Sequence, residues 1–336
     1  MARVAFDELA SAMERALLRL GFSAPRAAAC ARLFAEASLD GVYTHGFERF
    51  PRFASYVAAG WVRPEAEPVL ELSLGALERW DGRLGPGNLN AAAMTDRAMA
   101  LARSSGIGCV GLRNTNHWMR GGSYGLRAAE AGCALVAWTN TTPNMPAWGA
   151  KSACAGNNPL VVALPRPGGH LVLDMAMSQF SYGKLEAYRD RGEELPVEGG
   201  FDAAGLPSKD PAAILASRRP MPVGFWKGSG LSLLLDLAAA LVSGGDSVQG
   251  IGEREAEYGL SQVFIALDLG RLPDPDGMRA RVEAFVDYLQ AAEPERQGGR
   301  IYYPGERSAL TRAQNLEMGI PVEDRTWAEV RALAGD

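Results

Sequence analysis

Thr44, His45 and Arg49 fall within one nine-residue stretch, Gly41-Val-Tyr-Thr-His-Gly-Phe-Glu-Arg49, just where a helical pattern ends. Histidine is the side chain whose unperturbed pKa lies closest to neutral, so it suits proton transfer. Arginine offers a planar fork that matches a carboxylate. The chain holds three histidines, His45, His117 and His170, in 336 residues. A proton-transferring His four residues before an Arg suggests chemistry on an organic acid; the alternative is a capping or surface-loop His.

Three further segments carry polar chemistry. Arg113-Asn-Thr-Asn-His-Trp-Met-Arg120, followed by Gly121-Gly122, comes directly after an apolar strand-like run. Polar residues in that position commonly line a site in α/β folds, and Asn116, His117 and Arg120 can each donate hydrogen bonds; a capped strand-to-helix turn is the plainer reading. Asp174, in Leu173-Asp-Met-Ala-Met-Ser-Gln-Phe-Ser-Tyr-Gly183, ends another apolar strand, where a carboxylate is costly unless paired. It can orient His45, bind a cofactor hydroxyl or cap a helix. Phe225-Trp-Lys-Gly-Ser-Gly230 opens an apolar helix, and its backbone N–H groups with Lys227 suit a phosphate. His170 follows Gly168-Gly169 in a turn and reads as exposed rather than catalytic. No G-x-G-x-x-G follows an early strand; Gly121-Gly-Ser-Tyr-Gly125 comes closest and has the wrong spacing.

The elements that must hold these groups follow from periodicity. Phe6, Leu9, Met13, Leu17 and Leu20 recur at helical spacing, and Ser23-Ala-Pro-Arg opens a second helix running to about Leu39. A third runs from about Glu48 to Ala59, with Pro51 tolerable in its first turn. After Pro64 the pattern becomes mixed. Strands are expected over 69–80, 107–112, 133–139, 159–164, 170–175 and 262–267, and helices over 89–102, 122–131, 228–242 and 279–289, with two short helices at the end. The turn signal Pro165-Arg-Pro-Gly-Gly169 makes 159–175 an antiparallel hairpin. These readings predict a mixed α/β sheet. They divide the chain into a helical region 1–70, an α/β domain 71–295 and C-terminal helices 296–336 that return to the N-terminal region.

Net charge of −5 argues against nucleic-acid binding, and no signal-peptide pattern or membrane-length apolar run is present, so the chain reads as cytoplasmic. Cys30, Cys109, Cys133 and Cys154 form no C-x-x-C pair and are expected as buried, reduced thiols. The histidines show no ligand spacing, so no metal site is expected.

In order along the chain, Thr-His-Gly at 44–46, Asn-x-Asn-His at 114–117, Gly-Asn-Asn-Pro at 156–159, Asp-Met-Ala at 174–176 and Lys-Gly-Ser-Gly at 227–230 resemble the type-2 malate/L-lactate dehydrogenase family. Within it, 41–53, 117–125, 180–183 and 224–227 resemble a subgroup acting on a 2-keto sugar acid. The resemblance implies a non-Rossmann α/β/α fold and a homodimer with its site near the subunit interface. It implies NAD(P)H as hydride donor, with NAD(H) favoured and NADP(H) possible. It makes His45 the proton donor. For that reaction Arg49 is expected to hold the C1 carboxylate, Arg120 or His117 to read hydroxyls further along, Thr44 to be a further substrate contact, and Asp174 to sustain the protonated form of His45. It places the cofactor along Val172, Leu173, Asp174, Met175 and Ala176, at Trp226 and Lys227, and at Gly305, Glu306 and Arg307. Arg307 stands where the pattern has an acidic residue, which leaves the cofactor preference open, because a nearby Arg can accept a 2′-phosphate. Thr44 stands where Ser is usual and keeps the hydroxyl. The alternatives are a dehydrogenase of another 2-hydroxy acid (malate, lactate or ureidoglycolate), a cyclic imine reductase, or a sugar-acid-binding protein without catalysis.

Overall fold

The computed structural model describes residues 2–336. Strand β1 (Ala2–Val4) leads into three helices, α1 (Phe6–Arg19), α2 (Ala24–Leu39) and α3 (Phe50–Ala58). Two single 3₁₀ turns, Tyr43–His45 and Phe47–Arg49, separate α2 from α3, so the third helix begins two residues later than its apolar pattern. The hairpin β2 (Val69–Leu74) and β3 (Leu77–Asp81) precedes α4 (Gly87–Ser105), β4 (Ile107–Thr115), α5 (Gly122–Glu130) and β5 (Cys133–Thr139). The short strands β6 (Met145–Pro146) and β7 (Ala153–Ala155) lead to the hairpin β8 (Leu160–Leu164) and β9 (Leu171–Met175). An excursion unmarked by sequence periodicity follows: α6 (Tyr182–Asp190), β10 (Gly200–Phe201), β11 (Pro207–Ser208) and α7 (Pro211–Ser217). The chain ends with α8 (Trp226–Ser243), α9 (Val248–Gly252), β12 (Leu260–Asp268), α10 (Pro275–Gln290), α11 (Glu306–Met318), β13 (Ile320–Val322) and α12 (Asp324–Ala334).

Seven strands form the central sheet in the order β2-β3-β4-β12-β5-β8-β9. Only β3 and β4 pair in parallel; every other neighbouring pair is antiparallel. This mixed ladder is not the parallel doubly wound sheet of a standard dinucleotide fold. Alternate side chains leave a strand on opposite faces. Val110, Leu112, Leu135, Ala137, Val161, Phe264 and Ala266 pack with α4 and α5 on one face. Cys109, Val136, Trp138, Val263 and Ile265 pack with α8 on the other. Three layers result, α/β/α.

A separate apolar core joins the two ends of the chain. Leu9, Met13, Leu17, Phe34, Phe47, Phe50 and Phe53 pack with Ile320, Val322 and Val330, and β1 pairs with β13. The excursion carries its own small core of Leu185, Leu195 and Ile214. All four cysteines are free; Cys154, expected buried, is exposed because β7 is a short strand outside the main sheet. Among the described residues, no helix is long and apolar enough to cross a membrane.

Candidate active site

The His45 turn is held tightly against α2. Phe47 N–H donates to Ser38 Oγ (2.8 Å), and Ser38 Oγ–H donates back to Phe34 O (3.0 Å). A Cβ on Gly46 would lie 2.1 Å from Ser38 Oγ and 2.8 Å from Ser38 N, so only glycine lets this turn pass the helix. Thr44 Oγ1 lies 3.1 Å from His45 Nδ1, which leaves Nε2 as the open ring nitrogen.

The loop after β4 brings His117 to the same place. The His45 and His117 rings stack with centroids 5.8 Å apart and planes inclined by 25°. Met119 N–H donates to His117 Nδ1 (3.0 Å), so the neutral ring carries its proton on Nε2 and presents a donor. Asn116, another expected donor to substrate, instead donates to the carbonyls of Trp61, Leu84 and Gly85. Its amide holds the loop.

Arg49 reaches the same pocket from the second 3₁₀ turn, and its charge is felt by both histidines. It forms a 3.6 Å ion pair with Glu257, whose other oxygen accepts from Thr142 N–H at 3.3 Å. The excursion roofs the turn: an added Cβ on Gly183 would lie 2.8 Å from Thr44 Cγ2, and Tyr182 Oη donates to Asn144 O (2.9 Å).

Burial, followed by the positive charges of Arg49 and Arg120, lowers the His45 pKa to about 4. Burial and Arg49 push His117 down as well. Both imidazoles are therefore neutral at neutral pH in the free protein.

Asp174 does not support His45. Its carboxylate accepts from Gly122 N–H (2.7 Å) and faces Arg120, and it makes no hydrogen bond or ion pair to His45 among the described residues. Burial raises its pKa, against the pull of the Gly122 hydrogen bond and Arg120. Arg120 is likewise taken by protein: it pairs with buried Asp40 at the end of α2, which also accepts from Arg312 of α11 at 2.7 Å. Arg120 touches the proton-transfer site through its charge rather than as a free substrate fork.

A cleft of about 820 Å³ opens from this charge network, lined by Asp40, Val42, Arg120, Ser123, Tyr124, His170, Val172, Leu173, Asp174, Gly305, Ser308 and Arg312. It gathers β9, the start of α5 and the start of α11. Gly125 lets α5 approach the strands, since an added Cβ would lie 3.0 Å from both Ala163 Cβ and Val161 Cγ1.

Of the ten expected cofactor contacts, Val172, Leu173, Asp174 and Gly305 line this cleft. Met175 lies outside it and packs instead against the cluster of Met145, Ala155 and Met177. Ala176, the first residue beyond β9, is not among the lining groups. Trp226 and Lys227 are exposed at the start of α8, which packs against the opposite face of the sheet. Glu306 turns inward to accept from Tyr303 N–H and to pair with Arg300, and Arg307 stacks over Tyr302 at 4.8 Å.

His170, set aside as a turn residue, lines the cleft, with Nδ1 accepting from Arg166 N–H. Asp40, Arg312, Glu257 and Ser123 were also missed. Asp40, Arg312 and Glu257 sit far along the chain from the residues they pair with, so no local spacing signals them, whereas Ser123 lies three residues after Arg120 in a stretch that reads as a turn.

The malate/L-lactate dehydrogenase family model matches residues 4–331, nearly the whole chain. The chain belongs to the malate/L-lactate dehydrogenase family. It is 46% identical over 332 residues to a 2,3-diketo-L-gulonate reductase of Escherichia coli (strain 536), covering 98% of this chain and 100% of that protein. A protein of the same name from Klebsiella pneumoniae (strain 342) matches at 46% identity over the same span. Malate dehydrogenase from Entamoeba histolytica superposes with a TM-score of 0.94 at 24% identity, over 99% of this chain and 97% of that one. The Δ1-piperideine-2-carboxylate reductase of Pseudomonas syringae superposes with a TM-score of 0.86 at 28% identity, over 99% of this chain and all of that one. As a member of this dehydrogenase family the protein is an oxidoreductase interconverting an alcohol and a carbonyl with a nicotinamide dinucleotide.

Proposed function

We propose that this enzyme reduces the C2 carbonyl of a 2-keto sugar acid, 2,3-diketo-L-gulonate, to give 3-dehydro-L-gulonate, with NADH preferred. The observation that carries the reading is the meeting of His45, His117 and Arg49 in one pocket beside a dinucleotide-sized cleft. The substrate is supported by relatives of that name at 46% identity over nearly the full chain.

The cleft fits the cofactor. Its volume lies within the range of small-molecule sites, roughly 300–1,000 Å³, and the N-terminus of α11 at Gly305 offers backbone N–H groups for phosphate. Val172, Leu173, Asp174, Ser123 and Gly305 would hold it. When bound, the nicotinamide supplies the hydride. Arg49 holds the substrate carboxylate. The neutral His117 donates from Nε2 to a substrate oxygen and keeps the plane of the chain fixed. His45 Nε2 gives its proton to the oxygen that becomes the C2 hydroxyl, and Thr44 keeps the ring in place through Nδ1. In the reverse direction neutral His45 takes that proton back.

The charges of the cleft favour NADH. Arg32 pairs with Glu36, Arg127 with Asp96, and Arg120 and Arg312 with Asp40. None of these lining arginines is free for a 2′-phosphate, and Arg307 stacks on Tyr302 outside the cleft.

The homodimer is supported by α8, whose outer face exposes Leu231, Leu234, Leu237 and Leu241 near the likewise exposed edge strand β2. Trp226 and Lys227 lie on that side, where they would meet a second copy. Leu234→Asp with Leu241→Asp should yield monomers in equilibrium sedimentation; dimers that persist would place the interface elsewhere.

The test of function is NADH and NADPH oxidation with 2,3-diketo-L-gulonate, beside pyruvate and oxaloacetate. Turnover of the sugar acid with NADH is expected. Turnover of only the simpler acids would remove the substrate and keep the family chemistry.

A further inference from the structure

Two carboxylates act on Arg49, Glu257 and the more distant Glu186 of α6, and Glu257 is the one within ion-pair distance. Glu257 follows α9 and is only 9% exposed. A carboxylate has about four acceptor positions. Glu257 uses one on Thr142 N–H at 3.3 Å, and Arg49 stands 3.6 Å away, within ion-pair range and beyond hydrogen-bond range. No other group donates to it among the described residues. The oxygen that faces Arg49 therefore keeps acceptor positions that a ligand's donors can fill.

The other groups of the pocket do not supply them. Neither His45 nor His117 hydrogen-bonds to it among the described residues, and Arg120 is held by Asp40. Arg49 is thus flanked by two histidines on one side and an under-matched carboxylate on the other. A ligand whose carboxylate docks on Arg49 comes within reach of Glu257, which stands 3.6 Å from the fork. Hydroxyl groups there would donate into the vacant acceptor positions. A second carboxylate there would meet a like charge at close range with little water to screen it.

The geometry points to Glu257 as a specificity-determining residue that selects hydroxylated monocarboxylic 2-keto acids and rejects dicarboxylic ones. This rests on the substrate reading above. The role is distinct from proton transfer: Glu257 acts on the tail of the substrate and on the fork that holds its head.

The experiment compares wild type with Glu257→Gln, which keeps the shape and the acceptor for Thr142 N–H, and with Glu257→Asp. The substrates are 2,3-diketo-L-gulonate, pyruvate and oxaloacetate with NADH; for an acid that is not turned over, its Ki against a turned-over acid is read instead. Relative to pyruvate, Glu257→Gln should lower kcat/KM for the sugar acid at least tenfold, mainly through KM, and raise it for oxaloacetate at least tenfold. Glu257→Asp should restore part of the preference. An equal factor for all three acids would reduce Glu257 to a support for Arg49 and overturn the proposal, as would no change. NADH affinity and the thermal transition identify a misfolded variant, in which case Glu257→Ser, which also removes the carboxylate charge, must shift the same ratios or the proposal falls. If wild type fails to reduce the sugar acid, the substrate reading falls, while the oxaloacetate-to-pyruvate ratio of Glu257→Gln still decides this one.

Discussion

Protonation of His45 should follow binding of the keto acid rather than precede it. With a pKa of about 4 in the free protein, roughly one His45 in a thousand carries a proton at neutral pH. Proton donation requires the pKa to rise by about three units, which costs about 4 kcal/mol. A substrate carboxylate on Arg49 adds a negative charge beside the imidazole; for a separation of about 4 Å such a charge supplies about 4 kcal/mol at an effective dielectric near 20, and it offsets the Arg49 repulsion as well. The two quantities match, so the bound complex should titrate near neutrality. Calorimetry of oxamate binding to the NADH complex at about pH 6, in buffers of different ionisation enthalpy, should show uptake of about one proton per site. His45→Asn should show none. Between about pH 5 and about pH 8, kcat/KM for reduction should fall about tenfold per unit, while kcat/KM for the reverse reaction stays nearly flat. Zero proton uptake in wild type, together with a flat reduction profile, would refute the reasoning.

The same histidines should govern acid stability. Both folded pKa values lie below the unfolded value, so the unfolded chain binds more protons below about pH 6.5, down to about pH 4 in the case of His45, and stability falls as pH is lowered through that range. His45 alone contributes a loss of about 2 kcal/mol by about pH 5; denaturant unfolding of His45→Asn and His117→Asn should show a shallower acid slope, and an unchanged slope would place the cause elsewhere. Asp40 is buried and serves both Arg120 and the more exposed Arg312, so Asp40→Asn strands the buried Arg120 charge and should cost about 3–5 kcal/mol of unfolding free energy, a loss under about 1 kcal/mol contradicting the network. Gly183→Ala places a Cβ 2.8 Å from Thr44 Cγ2 and should lower kcat about tenfold by shifting His45 while leaving the NADH dissociation constant unchanged; normal turnover would show that the roof yields.

Where a residue's job depends on its near neighbours in the chain, the sequence alone determined it. Ser38, Thr44, His45, Gly46 and Arg49 lie within twelve positions, so the His and the Arg are neighbours by chain connectivity, on adjoining 3₁₀ turns. The β8–β9 hairpin was legible for the same reason: a Pro-Gly turn between two apolar alternations leaves one pairing. The strands and long helices followed from period, and the mixed sheet from the hairpin. Tertiary structure alone decided who faces whom. Asp174, which the sequence left free to orient His45, is turned by strand alternation toward Gly122 and Arg120. Arg120, a chemically plausible substrate fork, is claimed by Asp40, eighty positions earlier in the chain. Arg49 meets Glu257, and α11 brings Arg312 to Asp40, across separations that no local pattern encodes. The small excursion after β9 escaped the reading because its core is three apolar residues on short elements, too few to show a period. Chain-local chemistry is written in spacing, whereas burial, counter-charge and the neutral state of His45 arise only when distant segments exclude water from the same volume.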